Sequence, residues 1–119
     1  MTLLLELTHR LAGDVIFHSP VATYRGRADV AHLFATIGAV ASDVEARRTL
    51  TDGDTRVTFF DLRVGELDAD GVLEEVSAGG QIVELRLMLR PLSSLHAAVK
   101  AMGAALAADP LPSQRGTSG

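Results

Sequence analysis

Apolar positions along the 119-residue chain follow two different periods. In the first third they recur at helical spacing. Leu3, Leu7 and Leu11 stand four apart with Leu4 beside them, which predicts a short amphipathic helix over 2–12, ended by Gly13. Residues 14–19 (DVIFHS) are β-prone and stop at Pro20, and Tyr24-Arg25-Gly26 reads as a turn. A second helix is predicted over 27–41, where Val30, Leu33, Phe34, Ile37 and Ala41 share one face and Asp29 and His32 lie off it.

Beyond Ser42 the period drops to two. Strands are predicted over 43–50, 55–65, 72–77 and 81–90, with turns at Asp52-Gly53-Asp54, from Leu67 to Gly71, and at Ala78-Gly79-Gly80. Pro91 closes the last strand, and Ser93 or Ser94 is placed to cap a final helix. Leu95, Ala98, Val99, Met102 and Leu106 give that helix an apolar stripe to about 107. Residues 108–119 have turn-forming composition and little to bury, and are expected to form a disordered tail. Helices, then consecutive antiparallel strands, then a closing helix is the order of an α+β domain in which a curved sheet wraps around helices.

Composition narrows the function classes more than it selects one. At 47% hydrophobic and 22% charged residues, the chain has room for one domain, read as 1–107, able to bury about two-thirds of its surface. A net charge of −4 gives no footprint for nucleic acid or for acidic lipid. The absence of cysteine removes disulfides, thiolate catalysis and cysteine-ligated metal. The opening leucine run is broken by Glu6, His9 and Arg10, too early for a membrane span or a secretory leader, so a soluble, cytoplasmic protein is expected. His9, His32 and His96 fall on predicted helices with no local pair among them, which argues against a metal site. Gly79-Gly80 joins two strands and opens no helix, so it is no phosphate loop, and no cofactor is indicated.

Three segments, D-V-I-F-H-S-P-V at 14–21, Y-R-G-R-A-D-V at 24–30 and G-G-Q-I-V-E-L at 79–85, occur in the order that resembles the nuclear transport factor 2-like superfamily, and most of all its SnoaL-like members. The resemblance covers about 11–92. It implies a cone of one bent sheet and packed helices, the cystatin-like fold, enclosing an apolar pocket and commonly dimeric through the outer sheet face. It also implies a longer helical section before the first strand than the thirteen residues present here, so that either a partner chain closes the pocket, or its mouth is wide, or the chain begins later than its natural start. Ketosteroid isomerase, limonene epoxide hydrolase, polyketide cyclases and proteins that only bind all belong to this superfamily, so no single function follows.

Carried over by position, the isomerase base falls at Ser19, its neutral acid near Val72, and its tyrosine before Met1. A serine with no base beside it cannot take a proton from carbon. The hydrolase relatives use two carboxylates joined by an arginine. Asp61 and Arg63 share a strand face, and a tight turn over 67–71 places Glu74 opposite Arg63, forming a carboxylate–arginine–carboxylate group beside Val57, Phe59, Val72 and Val76. One carboxylate would be the general base, the other the acid, and Arg63 their orienter; a solvated cross-strand ion pair is the alternative. The hydrolase register puts His18 in the pocket, holding water or substrate, whereas the isomerase register puts Ser19 inside and His18 outside.

On the last strand Gln81, Val83, Leu85, Leu87 and Leu89 form a pocket wall or core, and Glu84, Arg86, Met88 and Arg90 form the outer side, suited to a homodimer. Phe17, Phe34, Phe59 and Phe60 are expected in the core or around the ligand, and Tyr24 at the mouth. The sequence therefore supports an apolar small-molecule site, either in an enzyme of epoxide hydrolase, isomerase or cyclase type or in a non-catalytic binding or homodimeric module.

Overall fold

A computed structural model of the protein describes residues 2–115. Helix α1 (Thr2–His9) leads into strand β1 (Leu11–His18), and a short β2 (Thr23–Arg25) precedes helix α2 (Arg27–Val40). Four long strands follow, β3 (Ala41–Asp52), β4 (Thr55–Val64), β5 (Leu67–Ala78) and β6 (Gln81–Arg90). Helix α3 (Leu92–Ala108) and the single turn α4 (Pro112–Arg115) complete the chain. The six strands form one curved, unclosed sheet in the order β2-β1-β6-β5-β4-β3. The β3–β6 meander is antiparallel throughout, while β1 joins β6 in parallel, a pairing that the local sequence pattern does not reveal.

The first helix is shorter than its leucine spacing predicts. The Arg10 amide donates to the Leu7 carbonyl at 3.0 Å and the chain then turns extended, so Leu11 is buried as a strand residue and Gly13 lies within β1 rather than ending a helix. Helix α2 forms where predicted and buries Val30, Leu33 and Phe34. At the start of α3, Ser94 is no cap. Its hydroxyl donates to the Asp68 carbonyl at 2.6 Å and ties the helix to β5.

Two glycines control the β4–β5 hairpin. Gly65 has φ 60°, the left-handed conformation a tight turn needs, and the reversal falls at Gly65-Glu66 instead of 67–71. Gly71, read from sequence as a turn residue, sits mid-strand because a Cβ there would come within 2.6 Å of the Met88 carbonyl oxygen and 2.8 Å of Phe60 Cζ. The sequence Asp68-Ala69-Asp70-Gly71 resembles a turn locally, but tertiary contact makes it strand.

The expected disordered tail is also corrected as far as the structure describes it. Leu111 is buried in the core, and Asp29 of α2 accepts hydrogen bonds from the Ser113 amide (3.0 Å) and hydroxyl (2.6 Å). His32 Nε2 meets the Asp109 carbonyl at 2.8 Å. Residues 116–119 of that tail lie outside the described residues.

Candidate functional site

Strand alternation decides what the hollow of the sheet contains. On β4 the buried set is Thr58, Phe60, Leu62 and Val64, and on β5 it includes Ala69, Leu73 and Glu75; the apolar members of this set share one core with α2 and α3. Leu85, Leu87 and Leu89 of β6 continue the same concave surface. Between this surface and the two helices lies a cavity of about 280 Å³. Phe34 and Ile37 of α2 and Ala98 and Met102 of α3 form its roof, with Phe60, Leu62 and Leu87 opposite. Phe17 and Phe34 meet edge-to-face at 5.2 Å between ring centroids, and Tyr24 stacks on Phe17 at 6.5 Å.

Polar side chains are scarce in this wall. Among the described residues that line it, only Ser19 and Tyr24 carry a polar side-chain group, and none carries a charge. The Ser19 hydroxyl is engaged locally, donating to the Ala22 carbonyl at 2.9 Å and accepting from the Ala22 amide at 3.0 Å and the Val21 amide at 3.3 Å. It therefore closes the 19–22 turn at the rim. The rim itself is apolar and open, with Val21 62% and Val99 40% exposed.

The carboxylate–arginine–carboxylate group expected from the strand pattern is not assembled. Moving the turn to Gly65-Glu66 pairs Arg63 with Asp68, Asp61 with Asp70 and Glu74 with Val57. All three expected members stand on the convex face, where Asp61 meets Arg47 at 3.3 Å, Arg63 meets Asp68 at 3.2 Å and Glu74 meets Arg86 at 3.3 Å. Phe59 and Val72 share that face, with the Arg48 guanidinium 4.5 Å above the Phe59 ring. A sequence signal for this parity exists. Phe60, Leu62 and Val64 form an unbroken apolar series, whereas Asp61 and Arg63 interrupt the other, and charged positions on a one-sided sheet face water.

His18 also points away from the cavity. Its Nε2 lies 2.7 Å from Glu84 Oε2 and its Nδ1 3.1 Å from Thr23 Oγ1. Ser19 lines the cavity, and His18 does not. Phe17, Ser19, Tyr24, Phe34 and Leu87 line the cavity, while Leu85 is sealed in the core beside it. Sequence reasoning missed the contribution of Leu62 on β4 and of α3, whose apolar stripe is cavity wall.

One carboxylate is fully buried on the concave side, further along β5 than the cavity. Glu75, 1% exposed, accepts two hydrogen bonds from Arg56 (2.9 and 3.1 Å), and Arg10 approaches at 3.6 Å. The hydrogen bonds from Arg56 to Glu75 raise the Arg56 pKa above its ordinary value against the opposing effect of burial, aided by the negative charges of Glu75 and Glu6. This group is structural, since the carboxylate is enclosed by its guanidinium partners and does not line the cavity.

No helix among the described residues is long and apolar enough to cross a membrane. No protein-family model matches the chain, and no curated protein does. Solved structures do match. A bacterial protein with a cystatin-like fold from Silicibacter pomeroyi is similar at 33% identity and a TM-score of 0.84, over 89% of this chain and 77% of its own. A steroid delta-isomerase from Pseudomonas aeruginosa is similar at 34% identity and a TM-score of 0.82, over 88% of this chain and 80% of its own. A nuclear transport factor 2-like protein from Cytophaga hutchinsonii, at 12% identity and a TM-score of 0.59 over 74% of this chain and 76% of its own, shares the fold. The architecture is therefore of a ligand-binding or isomerase type, and the chain belongs to the nuclear transport factor 2-like superfamily.

Proposed function

We propose that the protein binds a small apolar molecule in the cavity between the concave sheet face and α2 and α3, without acid–base catalysis of its own. The observation that carries this reading is the chemistry of the wall, hydrocarbon apart from Ser19 and Tyr24 among the described residues. Burial of apolar ligand surface is the dominant attraction such a wall offers. Similarity to a steroid delta-isomerase supports a ligand-holding role for the hollow. It does not extend to proton transfer here, because the base position carried over from the isomerases is Ser19, whose hydroxyl is held in its own turn. The volume of about 280 Å³ lies just below the roughly 300–1,000 Å³ of drug-sized sites and above the roughly 150 Å³ that holds benzene, which favours a ligand of one or two rings.

The chain supplies its own reporter. Tyr24 is the sole tyrosine, there is no tryptophan, and it lines the cavity. Titration with one- and two-ring hydrocarbons is expected to change tyrosine emission saturably. It should also stabilise the fold by about 2.7 kcal/mol at a hundredfold excess over Kd, read as a rise in melting temperature. Unchanged emission and melting across such a series would remove the reading.

The proposal includes a second copy of the chain on the convex face. Phe59, Val72 and Met88 stand directly across from one another on β4, β5 and β6, and Met88 is 59% exposed. Charged groups flank this apolar row, with Asp61, Asp70 and Arg90 on one side and Glu74 and Arg86 on the other. An apolar centre with a polar margin is the composition of a protein interface.

A further inference from the structure

We infer that the free edge of β3 pairs antiparallel with the same edge of a second copy, about a dyad at Leu50, and joins the two sheets into one. This contact is independent of the cavity and of the convex-face row of Phe59, Val72 and Met88. Strand β3 ends the sheet on one side and is 12 residues long, whereas β2, at the other edge, has 3. An open edge offers unpaired peptide groups to any extended chain, and proteins blunt such edges with bulges, twist and charge. The first part of β3 is blunted in that way. Its register against β4 slips between Ser42 and Glu45 and again between Ala46 and Arg48, and Asp43 adopts φ 51°. From Arg48 to Asp52 the register is unbroken and every residue is exposed.

The sequence of that segment, Arg48-Thr49-Leu50-Thr51-Asp52, is complementary to itself when reversed. Placing Leu50 opposite Leu50 of the second copy sets Thr49 opposite Thr51 and Arg48 opposite Asp52, at both ends of the contact. Backbone polarity agrees with this register. Asp52 and Thr55 close the turn at Gly53-Asp54, so Asp52, Leu50 and Arg48 bond to β4 while the peptide groups of Thr49 and Thr51 point outward. Outward-pointing residues that stand opposite each other exchange N–H···O=C bonds, and the Leu50 pair between them takes the closer, non-hydrogen-bonded position. Leu50, 54% exposed in the single chain, then covers its counterpart.

Charge fixes the register. Neither Arg48 nor Asp52 has an ion-pair partner among the described residues. Arg48 stacks over Phe59 at 4.5 Å from the ring centroid, which leaves its in-plane N–H groups to meet a carboxylate. Sliding the pair by two residues would oppose Leu50 to Arg48 or to Asp52, and parallel pairing in register would set Arg48 beside Arg48. The contact is small, so the association is weak, with a Kd of roughly 1 mM, and its two-fold symmetry closes it as a dimer.

The test uses chains that all carry Met88→Arg, which disfavours the convex-face contact proposed above. NMR spectra are followed as the concentration rises from about 0.05 to about 2 mM, a range that brackets the expected Kd. The amides of Thr49 and Thr51 should shift and exchange with solvent more slowly, while that of Leu50, already bonded to β4, keeps its exchange rate. Adding Arg48→Asp, or instead Asp52→Arg, sets like charges opposite each other at both ends, and each variant alone should lose self-association at least tenfold. An equimolar mixture of the two variants should regain it, because each then faces the opposite charge. Amides of Thr49 and Thr51 that do not respond to concentration would overturn the inference, whatever the stability of the variants. Variants that self-associate like their parent, or a mixture that associates no better than either variant alone, would overturn it as well.

Discussion

Gly71 shows how one residue sets the register of a whole hairpin. Its missing side chain lets β5 and β6 close over Phe60, and a methyl group there would overlap backbone as well as ring. Gly71→Ala is expected to destabilise the fold by about 1–3 kcal/mol, the cost of overpacking a site whose neighbour is main chain, measured by urea unfolding. Glu75 acts at the same scale through charge. Because the Arg56 pKa is raised in the folded state, its contribution is complete at every pH below the ordinary guanidinium range and declines only as pH climbs through the raised value. No acid or neutral titration of stability is therefore expected from this arginine. The turn and register around Gly71 were not legible locally, since Asp-Ala-Asp-Gly has the composition of a turn and only contact with Met88 and Phe60 distinguishes it from one.

Among the elements, α3 and the segment after it behave as one unit. The apolar stripe of α3 forms cavity wall, and the helix is anchored at its start by Ser94 to β5 and beyond its end by Leu111, Ser113 and the His32–Asp109 contact with α2. Leu111, only 4% exposed, is the main apolar anchor of this segment. Leu111→Ala is expected to cost about 2–5 kcal/mol by thermal unfolding, and to weaken ligand binding as α3 loosens. The stripe of α3 was readable from spacing alone. The anchoring was not, because a single leucine among Pro110, Pro112 and polar residues has no periodicity to reveal it. Strand β4 teaches a related lesson. Its alternation was plain, yet Phe59 and Phe60 are adjacent aromatics and either could begin the buried series. The charges at Asp61 and Arg63 were the local evidence for the correct side.

For the whole molecule, the sheet presents two surfaces of opposite character, a hydrocarbon hollow and a convex face with an apolar row between charges. If a second copy covers the convex face, Met88→Arg is expected to weaken the dimer at least tenfold by sedimentation velocity with little change in melting temperature, since Met88 is exposed in the single chain. A wild type that stays monomeric at high micromolar concentration would remove that part of the proposal. Helix α2, the four-strand meander and α3, the glycine turns at Gly53 and Gly79-Gly80, the leucine wall of β6 and the superfamily resemblance were all carried by the chain itself, because each depends on neighbours within a few residues, whereas β2, read locally as a turn, and α4 were not. Periodicity tells that a strand has two faces, and composition often tells which is wetter. It does not tell how far one strand slides along the next or what stands across from it. Those were decided by contacts between distant segments: Gly71 against Met88, β1 laid parallel to β6, and Leu111 returned to the core. They moved Asp61 and Glu74 out to the convex face and left the hollow lined almost wholly by hydrocarbon.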